Sequence, residues 1–193
     1  RGLGDVYKRQ ILDKRLAMVF LQPDRYFSRV TSISVQHDLL GRGFTSIIMD
    51  VDNTLLTRDD HHVPRDVMSW LSSVRAAGIE VCLLSNNFHE GVIHLADRLE
   101  LPIVAKAVKP LPHGFLMALN KLHAKRSQTV VIGDQLITDV FGAHFLGMTA
   151  YMVCPLVETD LWHTLLLRKV ERVILGDKKP AGTQSEPEGV TCD

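Results

Sequence analysis

The feature that most constrains this chain is an alternation. Short apolar runs are separated by stretches whose apolar residues recur at helical spacing. Ser46-Ile47-Ile48-Met49 is apolar, rich in β-branched residues and ends at acidic residues, as a buried strand does. Pro64 stands at a helix start, Val67, Met68, Leu71 and Val74 follow at helical spacing, and Gly78 provides a stop. Residues 79–84 form a second apolar run, followed by a helix-like stretch over 89–99. Ile103-Val104-Ala105 is a third, and 114–123 places Phe115, Leu116, Leu119 and Leu122 on one helix face. Residues 129–132 and 150–153 give two more strands, with a short helix over 139–146 between them and a final helix over 161–175. Strand and helix alternating this regularly predict an α/β fold, a three-layer doubly wound parallel sheet. In such a sheet the chemistry lies beyond the carboxyl ends of the strands.

The rest of the composition narrows the class. A chain of 193 residues suits one domain. Its 22 basic side chains are matched by 22 acidic ones, so no basic footprint marks a nucleic-acid binder. Three cysteines without CxxC spacing form neither a disulfide framework nor a zinc site, which favours a cytoplasmic protein. The apolar run over 16–21 is too short to cross a bilayer. The polar, aperiodic start leads us to expect a non-native or disordered segment over 1–13. A domain is expected over 14–175. Residues 176–193, with almost nothing apolar to bury, read as a disordered tail.

Four strand ends carry chemistry. After the first comes Asp50-Val51-Asp52-Asn53-Thr54. Residues two apart on an extended segment face the same way, so Asp50 and Asp52 can share a site. Two carboxylates held together favour a metal, or a nucleophile with a general acid/base. An Asp-rich turn is the bland alternative. After the second strand, Ser85-Asn86-Asn87 offers a hydroxyl and turn amides to phosphate oxygens, or simply an N-cap. After the third, Lys106-Ala107-Val108-Lys109-Pro110 provides a point charge for an anion; Lys109 is favoured over Lys106 because Pro110 restrains it. After the fourth, Gly133 permits a sharp turn that leaves Asp134 at the sheet edge as an oxygen ligand, with Asp139 nearby. Four such strand ends on one edge are hard to attribute to chance.

That order of residues resembles the haloacid-dehalogenase superfamily of phosphohydrolases: Asp50/Asp52/Thr54 as DxDxT, then Ser85, Lys109 and Asp134/Asp139. The stretches Leu21-Gln22-Pro23-Asp24, Val108-Lys109-Pro110, Ile132-Gly133-Asp134-Gln135 and 155–160 narrow the likeness to small subclass III members. These form the bacterial group similar to mitochondrial and plastid phosphatidylglycerophosphate phosphatases. The resemblance implies catalytic Asp50 and Asp52, with Asp50 as nucleophile forming an aspartyl-phosphate and Asp52 as acid and base. It implies phosphate binding by Ser85, Asn86 and Lys109, and Mg2+ held by Asp50, Asp52 through its carbonyl, and Asp134. Thr54 and Asp139 would support the site.

Only a short loop separates Thr54 from Pro64, and one helix and one strand fit between Ser85 and Lys109, so a capless, HAD-like domain is expected. An uncovered site admits a phosphate on a lipid at a membrane surface, with peripheral binding at the inner membrane face, or one on a macromolecule. Basic residues beside apolar ones near 14–21 and 161–174 are compatible with interfacial contact, although packing on the sheet explains the last helix as well. The expected partner is a phosphorylated substrate, with no nucleic acid; the sequence leaves oligomeric state open. The alternatives are a phosphatase of a soluble metabolite or macromolecular phosphate, a phospho-acceptor signalling domain, and a scaffold that merely retains the motifs.

Overall fold

A computed structural model describes residues 20–55, 63–88, 90–155 and 181. Six parallel strands form one sheet: β1 (Arg25–Phe27), β2 (Ser46–Asp50), β3 (Glu80–Leu84), β4 (Ile103–Val104), β5 (Thr129–Gly133) and β6 (Thr149–Val153). Their spatial order is β1-β6-β5-β2-β3-β4. The helices are α1 (Arg65–Ala76), α2 (Glu90–Leu99), α3 (Pro112–Lys121) and α4 (Gly142–Phe145), the last preceded by a wide helical turn over Leu136–Phe141. The expected doubly wound parallel sheet is what the chain forms.

Two-residue periodicity in the strands builds the three layers. Ile47, Met49, Val81, Leu83, Val130 and Ile132 face one side, where Val67, Trp70, Leu71 and Val74 of α1 and Val92, Leu95, Ala96 and Leu99 of α2 cover them. Ile48, Cys82, Leu84 and Val131 face the other side, against Phe115, Ala118 and Leu119 of α3 and Ala143 of α4. Both faces are dry, so the strands read as continuous apolar runs rather than alternating ones. Each fully buried Ile or Leu in these layers contributes on the order of 2 kcal/mol from the area it removes from water.

The topology places the site. From β2 the chain winds outward through β3 to β4, then returns to the far side of β2 for β5 and β6. The order therefore reverses beside β2, and the crevice at that reversal opens beyond the carboxyl ends of β2 and its neighbours. Asp50 is the last residue of β2.

Two details differ from the sequence reading. The edge strand β1 was not anticipated; its three residues pair in parallel with Tyr151, Met152 and Val153 of β6. The short helix expected over 139–146 begins instead as a wide turn at Leu136, which brings Asp139 under the end of β5. In the stretch expected to be a tail, Ala181 donates its N–H to the Tyr26 carbonyl at 2.8 Å and accepts from the Ser28 amide at 2.9 Å. The expected helix over 161–175 and the segment over 1–13 lie outside the described residues.

Candidate active site

Four buried ionisable side chains meet at the carboxyl edge of the central strands: Asp50 from the end of β2, Lys109 from the loop after β4, and Asp134 and Asp139 from the segment after β5. The Lys109 ammonium donates to Asp50 Oδ1 and to Asp139 Oδ1, the latter at 2.7 Å. Asp139 is itself fixed, because its Oδ2 accepts from the Gln135 amide at 3.1 Å. Gly133 makes this approach possible: a Cβ there would lie 2.4 Å from the Asp139 carboxylate carbon. The glycine anticipated for a turn is thus needed for room.

The charges do not balance within this cluster. Asp50, Asp134 and Asp139 each offer an oxygen within 4.8 Å of the others, against one ammonium. Burial pushes the Asp50 carboxyl up to about 7; Asp139 and Asp52 push the same way, and only Lys109 opposes them. Burial, then Asp50 and Asp139, hold Asp134 well above the ordinary carboxylate range. Burial works against the Lys109 ammonium, yet the charges of Asp139 and Asp50 raise its pKa above the usual lysine value. Asp50 Oδ2 and Asp134 Oδ1 are buried without a hydrogen-bond partner, as is the Thr54 hydroxyl. Clustered carboxylates with unpartnered buried oxygens are the donor set a hard divalent cation takes, so the acidic cluster can hold a metal.

Asp52 stands at the mouth of the cluster, half-buried. Its Oδ2 accepts from the Ser85 hydroxyl at 3.1 Å and from Asn87 Nδ2 at 2.9 Å. Asn53 between Asp52 and Thr54 takes a positive φ of 60°, a conformation asparagine tolerates better than most residues and one that turns the chain sharply away from β2. Across the site, the Asn86 side chain clamps the backbone of Lys109: Oδ1 accepts from its amide at 2.6 Å and Nδ2 donates to its carbonyl at 3.2 Å. The bond from Lys109 to Pro110 is cis.

A family model for haloacid dehalogenase-like hydrolases matches residues 34–147, which contain all of these groups. The chain belongs to that family. It is also 34% identical over 163 residues to the "Probable phosphatase YqeG" of Bacillus subtilis (strain 168), an alignment covering 84% of this chain and 94% of that one. A crystal structure of a HAD phosphatase from Thermococcus onnurineus superposes with a TM-score of 0.51 at 17% identity, over 69% of this chain and 98% of that one; this likeness bears on the fold. The enzyme is a phosphatase of the HAD type.

The structure brings Asp50, Asp52, Ser85, Asn86, Lys109, Asp134 and Asp139 to one edge of the sheet, in unequal positions. Asp50, Lys109, Asp134 and Asp139 form the buried cluster; Ser85 and Asp52 are joined at its mouth; Thr54 is buried beside them in sequence. Lys106, the lysine not favoured, is exposed and lies 4.0 Å from the centroid of the Phe88 ring. Asn86 turns its side chain to the Lys109 loop. Asn87 was missed: two consecutive asparagines after a strand give no local sign of which faces which neighbour.

Proposed function

We propose that the enzyme is a magnesium-dependent phosphomonoesterase that works through an aspartyl-phosphate and removes the phosphate of phosphatidylglycerophosphate to leave phosphatidylglycerol. The observation that carries the lipid substrate is the rim of the site. Phe88, Val108, Leu111 and Ile137 stand on the loops that hold Ser85, Lys109 and Asp139, and all four are exposed; Phe88 is 62% exposed and Val108 59%. Val108 does so at a positive φ of 53°, a costly conformation for a β-branched residue. Water is a poor partner for such a rim, and the apolar part of a membrane interface is a good one. Among the described residues no cap domain separates β2 from α1 or β3 from β4, and no helix is long and apolar enough to cross a membrane. In this reading the contact is peripheral.

In this reading Asp50 attacks phosphorus, and the bond from phosphorus to the leaving oxygen breaks as Asp52 gives that oxygen its proton. Asp52 then takes a proton from the water that attacks the phosphoenzyme, returning Asp50 as a free carboxylate. The Ser85 hydroxyl, the Lys109 ammonium and the Asn86 backbone amide bind the phosphoryl oxygens. Lys109 at the same time holds Asp50 Oδ1 and so fixes the carboxylate that attacks. Asp50, the Asp52 carbonyl and Asp134 would hold Mg2+, with Asp139 anchoring Lys109 beside them. Bound there, the ion neutralises charge on the transferring group.

The test is phosphate release from phosphatidylglycerophosphate in mixed micelles, set against a panel of soluble sugar, nucleotide and aryl phosphomonoesters. A lipid preference of tenfold or more in kcat/KM is expected, and exchanging Phe88 or Val108 for Ser should reduce it while leaving kcat/KM for the soluble substrates unchanged. A strong preference for a soluble phosphate would overturn the lipid reading and leave the phosphatase chemistry intact.

A further inference from the structure

We infer that Asn87 is the positioning residue that holds the Asp52 carboxylate in register with the leaving oxygen throughout turnover; this rests on the roles given above to Asp50 and Asp52. Asp52 Oδ2 has two donors, the Ser85 hydroxyl at 3.1 Å and Asn87 Nδ2 at 2.9 Å. Ser85 has a single hydroxyl proton. When that proton turns to a phosphoryl oxygen, Asp52 loses one of its two anchors at the moment its position matters. Asn87 keeps the other, because among the described residues its side-chain amide has no second partner.

The local fold fixes Asn87 for this purpose. Its backbone N–H donates to Ser85 Oγ at 3.0 Å, closing a tight turn at the end of β3. That bond occupies a lone pair of Ser85 and leaves its proton free to exchange partners. The preceding residue faces the opposite way and clamps the Lys109 backbone through two hydrogen bonds. Consecutive asparagines thus divide the site, one setting the cation and the other the proton donor. With Oδ2 held by donors, the proton that Asp52 transfers resides on Oδ1, the oxygen left open to the substrate.

General acid catalysis matters most when the leaving group is a poor one, so the test reads leaving-group dependence. Asn87→Ala and Asn87→Asp are compared with the unaltered enzyme on an alkyl phosphate and on dinitrophenyl phosphate, using kcat/KM, which covers steps only as far as phosphoryl transfer to Asp50. General acid groups contribute about 10²–10⁴-fold, and losing the anchor should remove roughly 10- to 100-fold of this for the alkyl ester. The aryl ester, whose leaving group needs little protonation, should fall far less. In an Asp52→Asn background the Asn87 substitutions should have no further effect on the alkyl ester. Equal losses on both esters, no loss on either, or a loss that persists without Asp52 would overturn the inference. Asp50→Asn and Asp52→Asn variants that keep the original rate on the alkyl ester would instead overturn the roles on which it rests.

Discussion

The proposed magnesium site predicts an affinity that rises steeply between pH 6 and pH 8, because the cation would compete with protons for the same buried oxygens. Burial, aided by Asp139 and Asp52, lifts the metal-free Asp50 carboxyl to about 7, and Asp134 is raised as well. A group titrating near 7 is about one-tenth ionised at pH 6 and about nine-tenths ionised at pH 8, so Asp50 alone changes apparent affinity roughly tenfold, or about 1.4 kcal/mol. Asp134 adds to this in the same direction. The measurement is the rise in melting temperature on adding Mg2+ at each pH. A ligand at about 100 times its dissociation constant stabilises by about 2.7 kcal/mol, which for a chain of this size is a shift of roughly 5–11 °C. At the same Mg2+ concentration the shift at pH 6 should be smaller by about 3–6 °C, the equivalent of the lost 1.4 kcal/mol. Asp134→Asn should reduce the shift at both pH values. A shift that is equal at the two pH values, larger at pH 6, or unaffected by Asp134→Asn would refute the assignment of these carboxylates.

Three further outcomes are expected. Asp50→Asn should abolish phosphate release while leaving the circular dichroism spectrum unchanged, and a variant with the original rate would remove Asp50 as nucleophile. Gly133→Ala forces a methyl group to within 2.4 Å of the Asp139 carboxylate; overpacking and loss of the Lys109 bond together should cost about 3–5 kcal/mol, measurable by urea denaturation. His144 Nδ1 lies 2.7 Å from the Phe20 carbonyl and Nε2 2.9 Å from Asp24 Oδ2, so only the doubly protonated ring satisfies both acceptors. The hydrogen bond to Asp24 raises the His144 pKa above 6.5; although partial burial acts the other way on Asp24, its bonds to His144 and Ala150 lower its pKa below 3.8. The stability from this pair is therefore complete between about 3.8 and 6.5 and is lost as pH rises through the elevated His144 value. His144→Gln should melt below the unaltered protein at pH 5.5 and approach it by pH 8.5.

The sheet was legible because its signals are local. Runs such as Ser46-Ile47-Ile48-Met49 and 129–132 are apolar on both sides, since helices cover both faces, and the helices between them carry their own periodicity. The edge strand Arg25–Phe27 had no such signal. Its three residues are extended because they pair with β6 and because the Phe27 ring packs against Tyr151 at 5.4 Å, a partner far away in sequence. The motif residues were legible for a related reason: each follows an apolar run, and the end of a parallel strand is where a side chain can leave the core and reach a site.

The chain's sequence by itself determined which strand ends carry carboxylate, hydroxyl and lysine, because residue type and strand position are local properties. Only the tertiary structure decided how these groups are shared. Lys109 meets Asp139 from 30 residues away, Asn86 closes on Lys109 across 23, and Asn87 reaches Asp52 across 35. Nothing in Ser85-Asn86-Asn87 distinguishes its two amides as isolated residues. The turn after β3 points one amide toward the loop after β4 and the other toward the loop after β2, because strand order puts those loops on opposite sides of it. The raised Asp50 pKa has the same origin: a carboxylate becomes a poor anion only when folding removes its water and brings other carboxylates beside it.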